Sequence, residues 1–182
     1  SNLWFTSKNT ANGPLPPILN FRLYDSLVKP VSLYGSDVWG INKGIEVLDK
    51  LHLGYLKSVM GVKLNTCTDI VYGETGRYPI SLDARVNCIK YYVRLRKITK
   101  NSIVKYVFEE LSHLNELGFN TWISDVENLL NTYQVDYSNN KIDLVVNEFK
   151  TKLFNEFEQR WYEQIYNINR TIFSTYRLFK TD

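Results

Sequence analysis

Apolar residues recur every three to four positions along most of this chain, the period of helices with one buried face. The pattern is dense from Phe21 to Trp39. Leu23, Leu27 and Val31 fall at helical spacing there, and Tyr24, Val28 and Tyr34 widen the stripe. Pro17 suits a helix start, because its missing donor would be unpaired there anyway. A first helix is therefore expected from Pro17 or Ile18 to Trp39. Pro30 should kink or break it, since proline lacks a donor and crowds the preceding turn. Gly35 should let Tyr34 and Trp39 pack closely against their neighbours. Ahead of this helix, residues 1–17 are punctuated by Asn12-Gly13-Pro14 and Pro16-Pro17, so a poorly structured segment is expected. Trp4 and Phe5 are its candidates for docking on the core.

The second helix is expected to start at Asn42, a good N-cap, and to stop at Gly61. Ile45, Leu48, Leu51, Tyr55, Leu56 and Val59 form its apolar face, and Lys43, Lys50 and Lys57 share one polar stripe. A short helix follows, capped by Thr66 or Thr68 and ended by Gly73 and Gly76. The third helix starts at Ser81, with Asp83 in its first turn. It carries two apolar stripes: Leu82, Val86, Ile89 and Val93, and Ala84, Cys88, Tyr91 and Leu95. A helix apolar on two sides belongs between neighbours, at the centre of a bundle. Ser102 caps a fourth helix that should turn Ile103, Val104, Val107, Phe108, Leu111 and Leu114 inward, with Gly118 at its end. Thr121 caps a fifth, with Trp122, Val126, Leu129 and Leu130 apolar. After a polar loop tipped by Ser138-Asn139-Asn140, a long helix begins near Lys141. Val145, Phe149, Leu153, Phe157, Trp161 and Ile165 run down one face, and Glu148, Lys152, Glu156, Arg160 and Glu163 occupy the other. The expected fold is all-α, a helical bundle of about six helices.

Composition narrows the class. The chain has 182 residues, enough to bury a real core, and a net charge of +3, too small by itself to argue for nucleic acid. Cys67 and Cys88 are the only cysteines, and His52 and His113 the only histidines. They form no zinc spacing, and two reduced cysteines in an intracellular protein is the plain reading. No apolar run approaches the ~20 residues that span a bilayer, so no membrane partner is expected. The chain starts at Ser1 without a signal peptide and is expected to be a fragment or processed piece.

Charge is unevenly spread. From Arg77 to Lys105 the basic residues are Arg77, Arg85, Lys90, Arg94, Arg96, Lys97, Lys100 and Lys105, and Asp83 is the only acid. Lys90, Arg94 and Lys97 fall at i, i+4 and i+7, with Tyr91 and Tyr92 between them. Such a strip can neutralise phosphates and stack on bases. The plainer alternative is a solvated face whose long stems cover apolar surface. Gly73-Glu74-Thr75-Gly76-Arg77-Tyr78-Pro79 has the same ambiguity. It is either a loop presenting Arg77 to a phosphate, or a tight turn in which Arg77 pairs with Glu74 or caps a carbonyl.

Four strings, in order, carry a family resemblance. They are Leu23 to Gly40 with its Lys-Pro and Leu-Tyr-Gly-Ser-Asp-Val-Trp-Gly; Gly61-Val62-Lys63; Gly73 to Pro79; and Tyr176-Arg-Leu-Phe-Lys180. This series resembles the region after the palm in reverse transcriptases of non-LTR (LINE-type) retrotransposons, with Asp37 where that family has Glu and Thr75 where it has an apolar residue. The likeness spans about Ile18 to Asp182. It implies a thumb-like region over 18–100 and a post-thumb region over 101–182 that stops before a Cys/His segment, and residues 1–17 lie outside it. It implies a non-catalytic grip on RNA, an RNA–DNA hybrid or DNA, beside an upstream palm domain of an RNA-directed DNA polymerase. An intracellular ribonucleoprotein, in nucleus and cytoplasm, goes with it. The expected phosphate contacts are Arg77, Lys90, Arg94, Lys97 and Lys100, with Lys57 and Lys63 weaker. Tyr91 and Tyr92 are the candidates for stacking on bases, and at least one of them is expected in the core.

The chain holds no adjacent Asp-Asp pair for two metal ions, no P-loop and no nucleophile or zinc-protease motif. Asp25 and Asp37 lie twelve residues apart, about 18 Å along a helix, too far for one metal site. This piece is therefore expected to be catalytically silent and to need no cofactor, with Mg²⁺ implied only for the upstream palm. The alternative is a structural or protein-interaction module without nucleic-acid binding, whose apolar surfaces around Trp4 and Trp161 contact other domains.

Overall fold

The computed structural model describes residues 15–42, 44–99, 102–138, 141–167 and 169–179, and among these the chain is all-α. The helices in chain order are α1 (Pro17–Leu23), α2 (Lys29–Ser32), α3 (Ser36–Trp39), α4 (Glu46–Met60), α5 (Thr68–Thr75), α6 (Ile80–Leu95), α7 (Ile103–Glu116), α8 (Trp122–Thr132), α9 (Ile142–Tyr166) and α10 (Ser174–Phe179). A π-helical turn, Tyr24–Val28, joins α1 to α2, and a 3₁₀ turn, Thr171–Phe173, precedes α10. The elements exceed six because the expected first helix is divided.

Pro30 is the cause of the first division. Proline at position 30 has no N–H for the carbonyl four residues back, and its ring crowds that carbonyl. The backbone responds one turn earlier by widening: the Lys29 N–H bonds the Tyr24 carbonyl, an i→i−5 link. The Ser26 hydroxyl bonds the carbonyls of Arg22 and Leu23 at 3.0 and 3.2 Å. Gly35, at φ +69°, then ends the helical path before α3.

The described residues fall into two compact units, one within Ser1–Tyr34 and Glu46–Ile80, the other within Gly35–Ile45 and Ser81–Asp182. These are not the contiguous segments 18–100 and 101–182 read from the sequence. The short α3 explains the interleaving, because it packs on α6. Asn87 Nδ2 donates to Ser36 Oγ at 2.8 Å, and the Cys88 thiol donates to the Ser36 carbonyl at 3.0 Å. Gly40 lies so close to α6 that a Cβ on it would sit 2.4 Å from the Ala84 carbonyl oxygen.

In the first unit, Tyr24, His52, Leu56, Val71, Tyr72 and Ile80 are buried. α4 begins at Glu46 and not beside Asn42, because Gly44 at φ +106° interrupts the helical path. It ends as expected at Gly61, φ +68°, where Gly61 and Val62 bond back to the carbonyls of Ser58 and Lys57. α5 ends at Gly76, φ +61°, with Gly73 inside the helix and Cys67, not Thr66 or Thr68, at its N-cap.

In the second unit, α6 has both of its apolar stripes buried, through Leu82, Ala84, Cys88, Ile89, Val93 and Leu95. This is the central position expected for it. Val126 and Leu130 of α8, Val145, Phe149, Leu153 and Ile165 of α9, and Phe173 complete that core. Each fully buried large aliphatic stabilises the fold by roughly 1.5–3 kcal/mol, and truncating Phe149 to alanine would cost about 3–5 kcal/mol. Ser102 and Thr121 cap α7 and α8 as the sequence indicates, Thr121 in a reciprocal box with Ser124. The outer face of α9 carries the i,i+4 pairs Glu148–Lys152 at 2.7 Å and Glu156–Arg160 at 3.6 Å. Arg177 closes the C-terminus of α9, donating to the carbonyls of Ile165 and Asn167 at 3.0 and 2.7 Å.

Candidate nucleic-acid interface

α6 supplies the basic row in the second unit. With its two apolar stripes turned inward, what remains outward is a narrow line through Lys90 and Arg94, both exposed, and the half-buried Lys97 just past the helix. The helix unwinds there through tight turns, Lys97 N–H to the Arg94 carbonyl and Ile98 N–H to the Leu95 carbonyl, each at 3.1 Å. Cations suit this end, where unpaired carbonyls gather. Among the described residues, none of these three cations has a carboxylate within ion-pair distance; the pairs formed in this unit are Lys105–Glu109, Lys152–Glu148 and Arg160–Glu156. Lys100 lies outside the described residues, as do Lys43 and Trp4.

The other arginines of this stretch point elsewhere. Arg96 donates to the Tyr137 carbonyl, and its guanidinium lies 5.9 Å from the ring centre of Tyr92 and 5.3 Å from that of Tyr137. Arg85 opens into a polar cleft of about 670 Å³ that it shares with Asn42, Asp125, Asn128 and Tyr133.

The two candidates for stacking on bases separate. Tyr92 is 2 % exposed, and its hydroxyl donates to Glu127 Oε1 at 2.6 Å, while Asn115 donates to Glu127 Oε2 at 3.1 Å. Burial first, and then the Glu127 carboxylate, raise the Tyr92 hydroxyl far above an ordinary phenol. Tyr92 is thus a core residue tying α6 to α8 through a shared carboxylate, and it has no face to offer a base. Glu127 carried no local sequence signal, since its partners lie 12 and 35 residues away. Tyr91 is half-buried, packed edge-on to Trp122 at 6.0 Å. It opens onto a groove of about 290 Å³ whose other walls include Leu95, Val104, Val107, Phe108 and Trp122.

That groove exists because the apolar face of α7 is partly exposed. The sequence expected Ile103, Val104 and Val107 to face inward, yet they are 82 %, 44 % and 53 % exposed, and no residue of α7 is fully buried. Its apolar stripe is real.

In the first unit, Arg77 is already engaged. Its guanidinium grips Asp25 with two parallel bonds, 2.5 and 2.7 Å, and sits 4.7 Å over the Phe21 ring. The Asp25 carboxyl is held below the usual aspartate range, chiefly by its hydrogen bonds from Arg77. The expectation was a phosphate contact or a pairing with Glu74; the partner found is 52 residues distant. Lys57 is buried, with Nζ on the Leu64 carbonyl at 2.7 Å, so it closes a loop and does not face solvent. Lys63 is exposed.

The same unit buries an aromatic cluster that sequence reasoning passed over. The Tyr24 hydroxyl meets His52 Nδ1 at 2.8 Å, and the Tyr24 ring stacks on Tyr55 at 4.4 Å. Desolvation pushes the imidazole down to about 4, and the nearby cations Lys29 and Arg77 act in the same direction. His52 is therefore neutral at physiological pH. In the second unit the buried Cys88 thiol is pushed up to about 11 by burial, so it stays protonated and packs as a small apolar group.

Among the described residues no three His, Cys, Asp or Glu side chains come together to hold a metal ion. No described helix is long and apolar enough to cross a membrane. No protein-family model, curated protein or solved structure matches the chain.

Proposed function

We propose that this chain is a non-catalytic, nucleic-acid-gripping helical region, acting as the thumb and post-thumb of a LINE-type reverse transcriptase whose palm carries out the chemistry. The observation that carries the proposal is the row Lys90, Arg94 and Lys97. The row lies along one helix end, faces outward, and lacks carboxylate partners among the described residues. The family likeness of the four sequence strings supports the assignment. Arg77, Lys57 and Tyr92 drop out of the contact set, because each already has a partner inside the protein.

Three phosphate contacts set the scale of the test. Each neutralised phosphate releases counterions, so log K should fall with log salt at a slope of about −2 for a single strand and about −3 for a duplex. Raising salt fourfold then weakens binding roughly 20- to 40-fold. The experiment is fluorescence anisotropy with labelled single-stranded RNA and an RNA–DNA hybrid across a salt series. Arg94→Ala combined with Lys97→Ala should cut the slope by about 1.4 for a single strand and about 1.8 for a duplex while leaving the melting temperature unchanged, since neither residue has a charged partner to lose. An unaltered slope in that double variant refutes the site. Absence of binding at low salt, from protein shown by circular dichroism to be helical, refutes the nucleic-acid reading itself.

A further inference from the structure

The basic row and the apolar groove share one helix. Tyr91 and Leu95, one turn apart, form a wall of the groove, and Arg94, three positions after Tyr91, stands on the helical surface beside that wall, with Lys90 one turn before it in the same row. Arg94 therefore stands at the groove's rim, and Lys90 and Lys97 extend the row further round the helix. Beside this rim lie three aromatic rings, Tyr91, Phe108 and Trp122, among aliphatic side chains.

We propose that the groove takes the unstacked bases of a single-stranded nucleic acid while Lys90, Arg94 and Lys97 hold its phosphates. This rests on the nucleic-acid reading above and narrows the ligand to single strands. A duplex keeps its bases stacked and paired inside, so it can meet the cations but has nothing apolar to put into the groove. A single strand has both, a charged edge for the rim and π-faces for the aromatic wall, and base–aromatic stacking tolerates any sequence. The exposed face of α7 becomes the far wall of the site.

The test uses the full chain, a labelled oligouridine, a labelled oligoadenosine and an RNA–DNA hybrid. Single strands should bind on the order of tenfold tighter than the hybrid at equal salt. Phe108→Ala should weaken single-strand binding about tenfold without changing the salt slope, because it removes stacking and no charge. Val107→Ser, at a position already half open to solvent, is the companion variant if Phe108→Ala impairs folding, and it should weaken single-strand binding in the same selective way. Equal affinity for strand and hybrid, with both groove variants neutral and the Arg94/Lys97 variant still flattening the slope, overturns the single-strand site and leaves the nucleic-acid reading standing. No binding of any nucleic acid overturns both. A concentration-dependent dimer by light scattering that Val107→Ser dissociates assigns the groove to a second copy, and also overturns it.

Discussion

Acidification should destabilise the first unit, and His52 is the reason. The imidazole is 3 % exposed, shares a hydrogen bond with the Tyr24 hydroxyl at 2.8 Å, and is held down to about 4 by burial, with Lys29 and Arg77 adding to the effect. Asp25 and a backbone hydrogen bond at Tyr78 pull the other way and are outweighed. In the unfolded chain the same ring titrates near 6.5. Between those values the unfolded state binds a proton that the folded state refuses, so stability falls as pH falls. The contribution is fully present above about 6.5 and is lost as pH drops toward 4. The complete loss is about 3 kcal/mol, and about 2 kcal/mol of it has gone by pH 5. That is a large part of the 5–15 kcal/mol typical of a whole domain. The Asp25–Arg77 pair does not confuse the window. Asp25 is depressed below 3.8, so its contribution is present above that value and disappears only at lower pH.

The assay is urea unfolding followed by far-UV circular dichroism at about pH 7.5 and about pH 5. His52→Gln keeps a polar group near the Tyr24 hydroxyl but has no proton to gain, so its unfolding midpoint should be level over this range while the native midpoint falls. Ring NMR gives the microscopic value directly, because His52 and His113 are the only histidines and the variant identifies which signal is which. A His52 signal titrating near 6.5, or a native midpoint that does not move between the two pH values, refutes the reasoning.

Three further outcomes follow from contacts already described. Gly40→Ala places a methyl 2.4 Å from the Ala84 carbonyl oxygen and 2.5 Å from that of Ser36, both backbone atoms that cannot swing away, so it should cost about 3 kcal/mol, read by tryptophan fluorescence during urea unfolding; a loss under about 0.5 kcal/mol would show that α3 does not lie against α6. Asp25→Asn removes half of a partly exposed ion pair and should lower stability by about 1 kcal/mol at neutral pH, measured by circular dichroism, with no further cost when salt is raised. Gln134, the one non-glycine at positive φ among the described residues, ends α8 in the left-handed conformation, so Gln134→Gly should raise the thermal midpoint, equivalent to about 0.5–1 kcal/mol, and an unchanged midpoint counts against that geometry.

What the sequence made legible and what it hid divide along one physical line. Local chemistry was readable. Ser102 and Thr121 bond their own first turns, Gly61 and Gly118 reverse the chain at positive φ, and Phe149 and Leu153 repeat at the period of one helix face. Each depends on residues within a turn or two. Pro30 was legible as a disturbance, but its form, a widened π turn one step earlier, depends on how the displaced carbonyls find new donors. Pairings across the chain were hidden. Arg77 reads as a phosphate contact or as a partner of the nearby Glu74 until Asp25, 52 residues away, is brought beside it. Tyr92 and Tyr91 are neighbours in sequence, and only the position of Glu127 decides that the first is locked inside.

α7 marks the same limit from the other side. Helical periodicity states which face of a helix is apolar, and by itself it does not state that anything covers that face. The inward stripe Ile103, Val104, Val107 was read correctly as a stripe and wrongly as core, because burial requires a second element and the sequence names none. Exposed apolar surface of this kind is costly in water and, where it is contiguous, marks a site of contact. Cations without carboxylates on the neighbouring row of α6 carry a matching electrostatic demand. Arg94 stands beside the groove wall formed by Tyr91 and Leu95, and the single strand proposed for this surface would bring phosphates to the one and bases to the other.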